Sequence, residues 1–205
     1  MHRDILESDT KRVLETLVRA DVLQDFYLVG GTALALQYGH RKSIDLDFFS
    51  PHDFLLPGLR ANMAVLGDYT LENEAPGTLD GVLDNVKLTF LRYPYPPLFP
   101  LIMWEGISLA DPRDIACMKI DAISARGSKK DFIDLYVLLE QYSLKEILTM
   151  FEEKYADIHY NTLHLLKSLT YFEDAETEPM PVMLRPIEWN AVKTKISLQA
   201  RALVA

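Results

Sequence analysis

Apolar positions recur along this chain in two rhythms. Over residues 4–24, Ile5, Val13, Leu14, Leu17 and Val18 return at helical spacing and predict an amphipathic helix. "FYLVGG" is a short β-rich run that ends in a turn. "TALALQYG" predicts a short helix, with Thr32 placed to cap it and Gly39 to stop it. "SIDLDFFS" alternates polar and apolar residues, as a strand with two unlike faces does, and Ser50-Pro51 ends it. Residues 52–66 are read as a helix. The stretch "YTLENEAPGTLDGVLDNVKLTFLRYPYP" carries Pro-Gly and Asp-Gly turn signals that divide it into two or three strands.

After Pro112 the rhythm turns helical. "PRDIACMKIDAISARG" opens with proline near its start and closes on Gly127. "KKDFIDLYVLLEQY", "SLKEILTMFEEKY", "NTLHLLKSLTYFEDAE" and the final "EWNAVKTKISLQARALVA" follow, with "EPMPVMLRP" as a proline-rich connector. The pattern divides the chain into an α/β half over residues 1–110 and a helical half over residues 111–205.

Composition narrows this picture. At 205 residues, with 49% hydrophobic and 25% charged residues, the chain suits one large domain or a domain with an appended helical half. A net charge of −9 argues against a surface that coats nucleic acid broadly, while leaving room for a local basic cleft. A single cysteine, Cys117, excludes an internal disulfide framework and fits a reducing compartment. It sits in a helix-like run, where a small buried hydrophobe is the expected role. No apolar leader opens the chain, and no run approaches the ~18 residues of a membrane span. The reading is a cytoplasmic protein with no membrane partner.

The chemistry concentrates in "VGGTALALQYGHRKSIDLDFF". On a strand, Asp45 and Asp47 would project to one face and converge on a cation. Hard oxygen ligands of this kind suit Mg²⁺ or Mn²⁺. Gly30 and Gly31 sit at a strand-to-helix turn, where free backbone N–H groups and a helix N-terminus make a seat for phosphate. Thr32 either binds a phosphate oxygen or only caps its helix. His40, Arg41 and Lys42 precede the strand, and one of them could face a triphosphate. A phosphate seat followed closely by paired carboxylates is what phosphoryl or nucleotidyl transfer requires. Further on, Lys130 and Asp134 share a helix face and could form a simple ion pair. Arg126, Lys129 and Lys130 make a small basic cluster.

These residues resemble the polymerase-β-type nucleotidyltransferase signature, and more narrowly the AbiEii/AbiGii-type toxin family. In that family Gly-Gly-Thr-Ala-Leu, His-Arg and Asp-x-Asp-Phe-Phe follow one another. "DIACMKIDAISARGSKKDFIDLYVLLE" is similar to the family's later motifs, a lysine in D-x-x-x-x-K-x-x-A and then K-D-x-x-D-L. The resemblance implies an α+β fold: a polymerase-β-like core, with a small mixed sheet and flanking helices, followed by a helical C-terminal half. It implies an NTP held by Gly30, Gly31, Thr32, Arg41 and Lys119, and Mg²⁺ (or Mn²⁺) on Asp45 and Asp47. Lys130 and Asp131 would join Asp45 and Asp47 in catalysis, with Asp134 a structural partner. The product would be an NMP joined to a hydroxyl of RNA, such as tRNA, or of protein. The biological setting would be a toxin–antitoxin pair, with an antitoxin as partner.

Transferases of the polymerase-β type usually carry a third acid on a later strand, as metal ligand and base. The matching strand is "NVKLTFLRY", where Thr89 stands. The nearest acids, Asp84 and Asp80, are read as lying off that strand face. The base would then come from elsewhere, for example Asp131. The alternative is a catalytically weak or inactive nucleotide-binding module of the same fold. A D-x-D glycosyltransferase would need a larger nucleotide-binding sheet before its motif than ~45 residues supply.

Overall fold

The computed structural model describes residues 1–203. Its first helix is shorter than the apolar rhythm suggests. A single 3-10 turn at Arg3–Ile5 precedes α1, Ser8–Arg19. The chain leaves helical geometry at Asp21, where φ is 59°, and Leu23 and Phe26 then turn into the core. β1 (Tyr27–Leu28) runs into α2 (Gly30–Tyr38), which ends at Gly39 in left-handed backbone. Val29, and not Thr32, is the N-cap of α2. The helix starts two residues earlier than its apolar run, so Thr32 is its third residue.

β2 (Leu46–Ser50) follows, and then α3 (Leu56–Leu66), whose first turn holds Pro57. Proline fits there because that N–H would have no helical partner anyway. β3 (Tyr69–Ala75), β4 (Thr78–Leu83) and β5 (Val86–Arg92) form an antiparallel meander. Its turns fall at Pro76-Gly77 and Asp84-Asn85. Both residues of the second turn have positive φ, 48° and 67°, as tight hairpins require. Asp80-Gly81, which the sequence marks as a turn, lies in the middle of β4 instead. The glycine serves packing: a Cβ on Gly81 would stand 2.5 Å from the Tyr69 ring.

The proline-rich run after β5 conceals a second hairpin, β6 (Ile102–Trp104) and β7 (Ile107–Leu109), which turns at Glu105-Gly106. The helical half then comprises α4 (Pro112–Ala125), α5 (Lys129–Leu138), α6 (Leu144–Lys154), α7 (Thr162–Ser168), α8 (Glu173–Glu176) and α9 (Trp189–Arg201). Asp111 caps α4 through the Arg113 N–H, and Ser143 with Glu146 forms a capping box on α6. "NTLHLLKSLTYFEDAE" is two short helices and not one, broken between Leu169 and Phe172. The helix expected over residues 188–205 is α9; Val204 and Ala205 lie outside the described residues.

The sheet is mixed, in the order β3-β4-β5-β2-β1-β7-β6. β2 runs parallel to β5 and antiparallel to β1, and β1 runs parallel to β7. Leu46, Phe48, Leu88, Phe90 and Leu79 share one face and are buried with Leu59 and Met63 of α3. The other face of β4 and β5 carries Thr78, Asp80, Val82, Lys87, Thr89 and Leu91, all half-buried or exposed. One apolar core runs from Ile5 to Ala200 and joins the sheet to the helical half. Among the described residues, no helix is long and apolar enough to cross a membrane.

If Gly81 is required by the Tyr69 ring, Gly81→Ala should cost ~1–3 kcal/mol through overpacking. Urea denaturation should show this loss shrinking when Tyr69 is first shortened to alanine. A full loss in that second background would assign the cost to the Thr70 carbonyl oxygen, 2.7 Å from the same Cβ position.

Candidate active site

The α2 N-terminus and the start of β2 meet in space because of two glycines. Gly30 has a φ of 66°, and a Cβ on it would stand 2.9 Å from Asp47 Oδ2. Only glycine permits both the backbone turn and the close carboxylate. The Val29 N–H is held by the Asp47 carbonyl at 2.9 Å, which locks turn to strand. No side chain caps α2, so its first-turn N–H groups, at Gly30, Gly31 and Thr32, stay available to an anion. Gly31 lies under the Arg41 guanidinium, which occupies the place a side chain there would need.

Asp45 and Asp47 come together, but not as two rungs of one strand. Asp45 is the residue before β2, and Asp47 is its second residue. Burial, and then the neighbouring Asp45, raise the Asp47 pKa, with Lys119, Lys130 and Arg126 opposing. An ionised Asp47 is therefore held at a cost that a bound cation would relieve. Lys130 Nζ already stands 3.7 Å from Asp45 Oδ2. This donor set fits a hard divalent ion such as Mg²⁺ or Mn²⁺. Among the described residues, no three His, Cys, Asp or Glu side chains are grouped to hold a metal. Asp45 and Asp47 would supply two ligands, and substrate phosphates and water the rest, as is usual for Mg²⁺.

Beneath this surface lies a buried ionic network. Asp134 is fully buried, accepts three hydrogen bonds and pairs with one further cation. Arg41 Nε and Nη2 lie at 2.7 and 2.9 Å, His40 Nε2 at 2.8 Å and Lys119 Nζ at 2.6 Å. Asp131, also fully buried, accepts from Lys119 at 2.8 Å, Arg126 Nε at 3.0 Å and Ser128 Oγ at 2.7 Å. Burial pushes both carboxyls up, but Lys119 with Arg41 holds Asp134 well below its usual range. Lys119 with Arg126 holds Asp131 at about 2. Asp131 is thus ionised and surrounded by donors, a poor base.

Several residues read as nucleotide contacts are placed differently. Arg41 and Lys119 turn inward, with side chains only 5% and 6% exposed, because each is tied to buried carboxylates. The Thr32 hydroxyl is buried against Ser43 Oγ, at 2.8 Å, and the Asp45 carbonyl, so its side chain braces the loop before β2. Asp134 pairs with Arg41 and Lys119 instead of Lys130, which turns to Asp45. Lys129 is also buried, its Nζ held by the Glu178 carbonyl. The cations that remain open beside Asp45 and Asp47 are Lys130, 47% exposed, and Arg126, 62% exposed. Asp80, which the sequence reading sets off the strand face of Thr89, lies on it. Thr89 pairs with Asp47 on one side and with Asp80 on the other, so all three share one row and one face.

Solved structures of other proteins share this fold. The crystal structure of JHP933 from Helicobacter pylori matches with a TM-score of 0.56 at 16% identity, over 97% of this chain and 93% of that one. The nucleotidyltransferase toxin MenT4 from Mycobacterium tuberculosis matches at 0.52 and 13% identity, over 95% and 86%. At these identities the likeness is one of fold. An uncharacterized protein of Aquifex aeolicus is 39% identical over 181 residues, 84% of this chain and 86% of its own. The family profile of the nucleotidyl transferase AbiEii toxin, of a type IV toxin–antitoxin system, matches residues 12–202. The chain belongs to the AbiEii nucleotidyltransferase toxin family.

The network sets an acid limit on stability. A carboxyl with a depressed folded pKa stabilises in full above its unfolded value near ~3.9, and the gain is lost as pH falls through the folded pKa. For Asp131 that loss falls between pH ~4 and ~2 and amounts to ~2 kcal/mol. Denaturation across this range should steepen with acid in the wild type and flatten in Asp131→Asn. Asp134→Asn should cost ~3–5 kcal/mol at neutral pH by leaving buried cations unpaired. Lys130→Ala, at an exposed pair, should cost less than ~1 kcal/mol.

Proposed function

We propose that this toxin nucleotidyltransferase moves a nucleoside monophosphate from an NTP to a hydroxyl of an RNA, such as tRNA, or of a protein. The observation that carries the reading is the contact of the uncapped α2 N-terminus with Asp47 through Gly30. It puts a phosphate seat and a carboxylate pair side by side. The triphosphate rests on the N–H groups of Gly30, Gly31 and Thr32, with Lys130 and Arg126 facing it. Asp45 and Asp47 hold Mg²⁺ or Mn²⁺, which offsets charge developing on the phosphates when bound. Lys119, Asp131, Asp134 and Arg41 act one layer down, by holding Arg126 and the two glycines in place. An antitoxin is the expected partner in the cell.

One observation favours a second reading, a nucleotide-binding module with little chemistry: position 89, directly across from Asp47, is a threonine.

Alpha-phosphate-labelled ATP, CTP, GTP and UTP, each tested with Mg²⁺ on bulk tRNA and on whole-cell protein, decide between the two. The nucleotidyltransferase reading expects label transfer to one acceptor class and at least ~100-fold less with Asp47→Asn. NTP binding by calorimetry without transfer from any nucleotide would establish the binding module instead.

A further inference from the structure

Nucleotidyl transfer to a hydroxyl needs somewhere for the hydroxyl proton to go, and the structure removes most candidates. Asp131 and Asp134 are sealed and saturated with donors. Asp45 and Asp47 are the pair facing the phosphate seat, and Lys130 lies against Asp45. Asp114 is buried on the Leu98 and Phe99 N–H groups and Lys154. Asp111 is spent on capping α4 and on Arg113.

Asp80 differs from all of these. It lies in the row Asp47–Thr89–Asp80, continued by Asn73, across β2, β5, β4 and β3. Paired residues on neighbouring strands point to one side of a sheet, so Asp80 and Asp47 rise from the same face. Two strand spacings separate them, ~9–10 Å between Cα atoms. The residue between is the short Thr89, so the two carboxyls flank a gap one strand wide above it. Asn73 Nδ2 donates to Asp80 Oδ2 at 3.1 Å, which orients the group. Oδ1 has no donor among the described residues. This face of β4 and β5 is half-buried or exposed at every position, open to a macromolecular acceptor.

We infer that Asp80 is the proton acceptor for the attacking hydroxyl, which sits over Thr89 between Asp80 and the Asp45–Asp47 pair. The inference rests on the nucleotidyltransferase reading above. The acceptor oxygen bonds to the α-phosphorus as the bond from that phosphorus to the bridging oxygen breaks. Pyrophosphate leaves with the bonding pair, and the hydroxyl proton passes to Asp80 Oδ1. Asn73 is a positioning residue, holding Oδ2 so that Oδ1 faces the gap.

The test uses the whole protein in the labelling assay above, with three variants beside the wild type. Asp80→Asn should lower kcat ~100-fold or more, the range of general-base removal. Its KM for the NTP, and its NTP affinity by calorimetry, should stay within about threefold. Asn73→Ala should lower kcat less, with KM for the NTP again unchanged. The double variant Asp80→Asn, Thr89→Asp should recover much of the loss, because it returns a carboxyl to the same row. Asp80→Asn with near-wild-type kcat overturns the assignment and leaves the nucleotidyltransferase reading intact. So does loss of activity that tracks loss of NTP binding, or a double variant that stays as inactive as Asp80→Asn. No label transfer by the wild type itself overturns both.

Discussion

Two buried carboxylates, Asp131 and Asp134, hold this site together. Each would be prohibitively costly without compensation, and each is compensated by a cation from a different part of the chain. Arg41 arrives from the loop after α2, Lys119 from the middle of α4 and Arg126 from its end. Lys119 touches both carboxylates, so the two halves of the network cannot relax independently. The Arg41 guanidinium lies over Gly31, and the N-terminus of α2 therefore takes its position from an ion pair packed against it. Apolar burial builds the core, but it does not dictate which loop faces which helix; these directional contacts do.

This layering separates two kinds of positive charge. Arg41 and Lys119 are locked and desolvated, and their partners keep them charged. Lys130 and Arg126 keep their heads in solvent while being anchored from below or beside. Only the second kind is open to an anion arriving from solvent. An acidic protein can thus present a small basic entrance without a basic surface, since most of its cations near the site are already neutralised inside.

The sequence makes the elements legible where local rules act alone: the Gly39 stop, the helical rhythm of residues 112–125 and the polar-apolar alternation of β2. The closeness of the glycine turn to the two aspartates is legible too, since one short helix separates them in the chain and Gly30 packs against Asp47. Two kinds of information are not. One is direction: a lysine in a helix does not declare whether it faces a cleft or a buried acid, so Arg41 and Lys119 read as ligands. The other is register. Asp80-Gly81 has the composition of a turn, and only its pairing with β3 and β5, with Tyr69 packed over Gly81, puts it in a strand. Once the pair moves into β4, Asp80 moves with it into the row of Asp47. A bulky residue at position 81 would have been legible as strand but could not have packed.

The stretch from Glu178 to Arg185 makes no regular element, yet it fastens the site from outside. The Lys42 N–H donates to the Val182 carbonyl at 2.8 Å, and the His40 carbonyl accepts from Leu184 and Arg185 at 2.9 and 3.2 Å. Glu178 accepts from the first N–H of α5 at 2.8 Å. These bonds join the loop that carries Arg41 to a segment far along the chain, in the helical half. Without residues 182–185, the His40 carbonyl and the Lys42 N–H would lose these partners. The Arg41 loop is therefore set only once the helical half has folded back onto the α/β half.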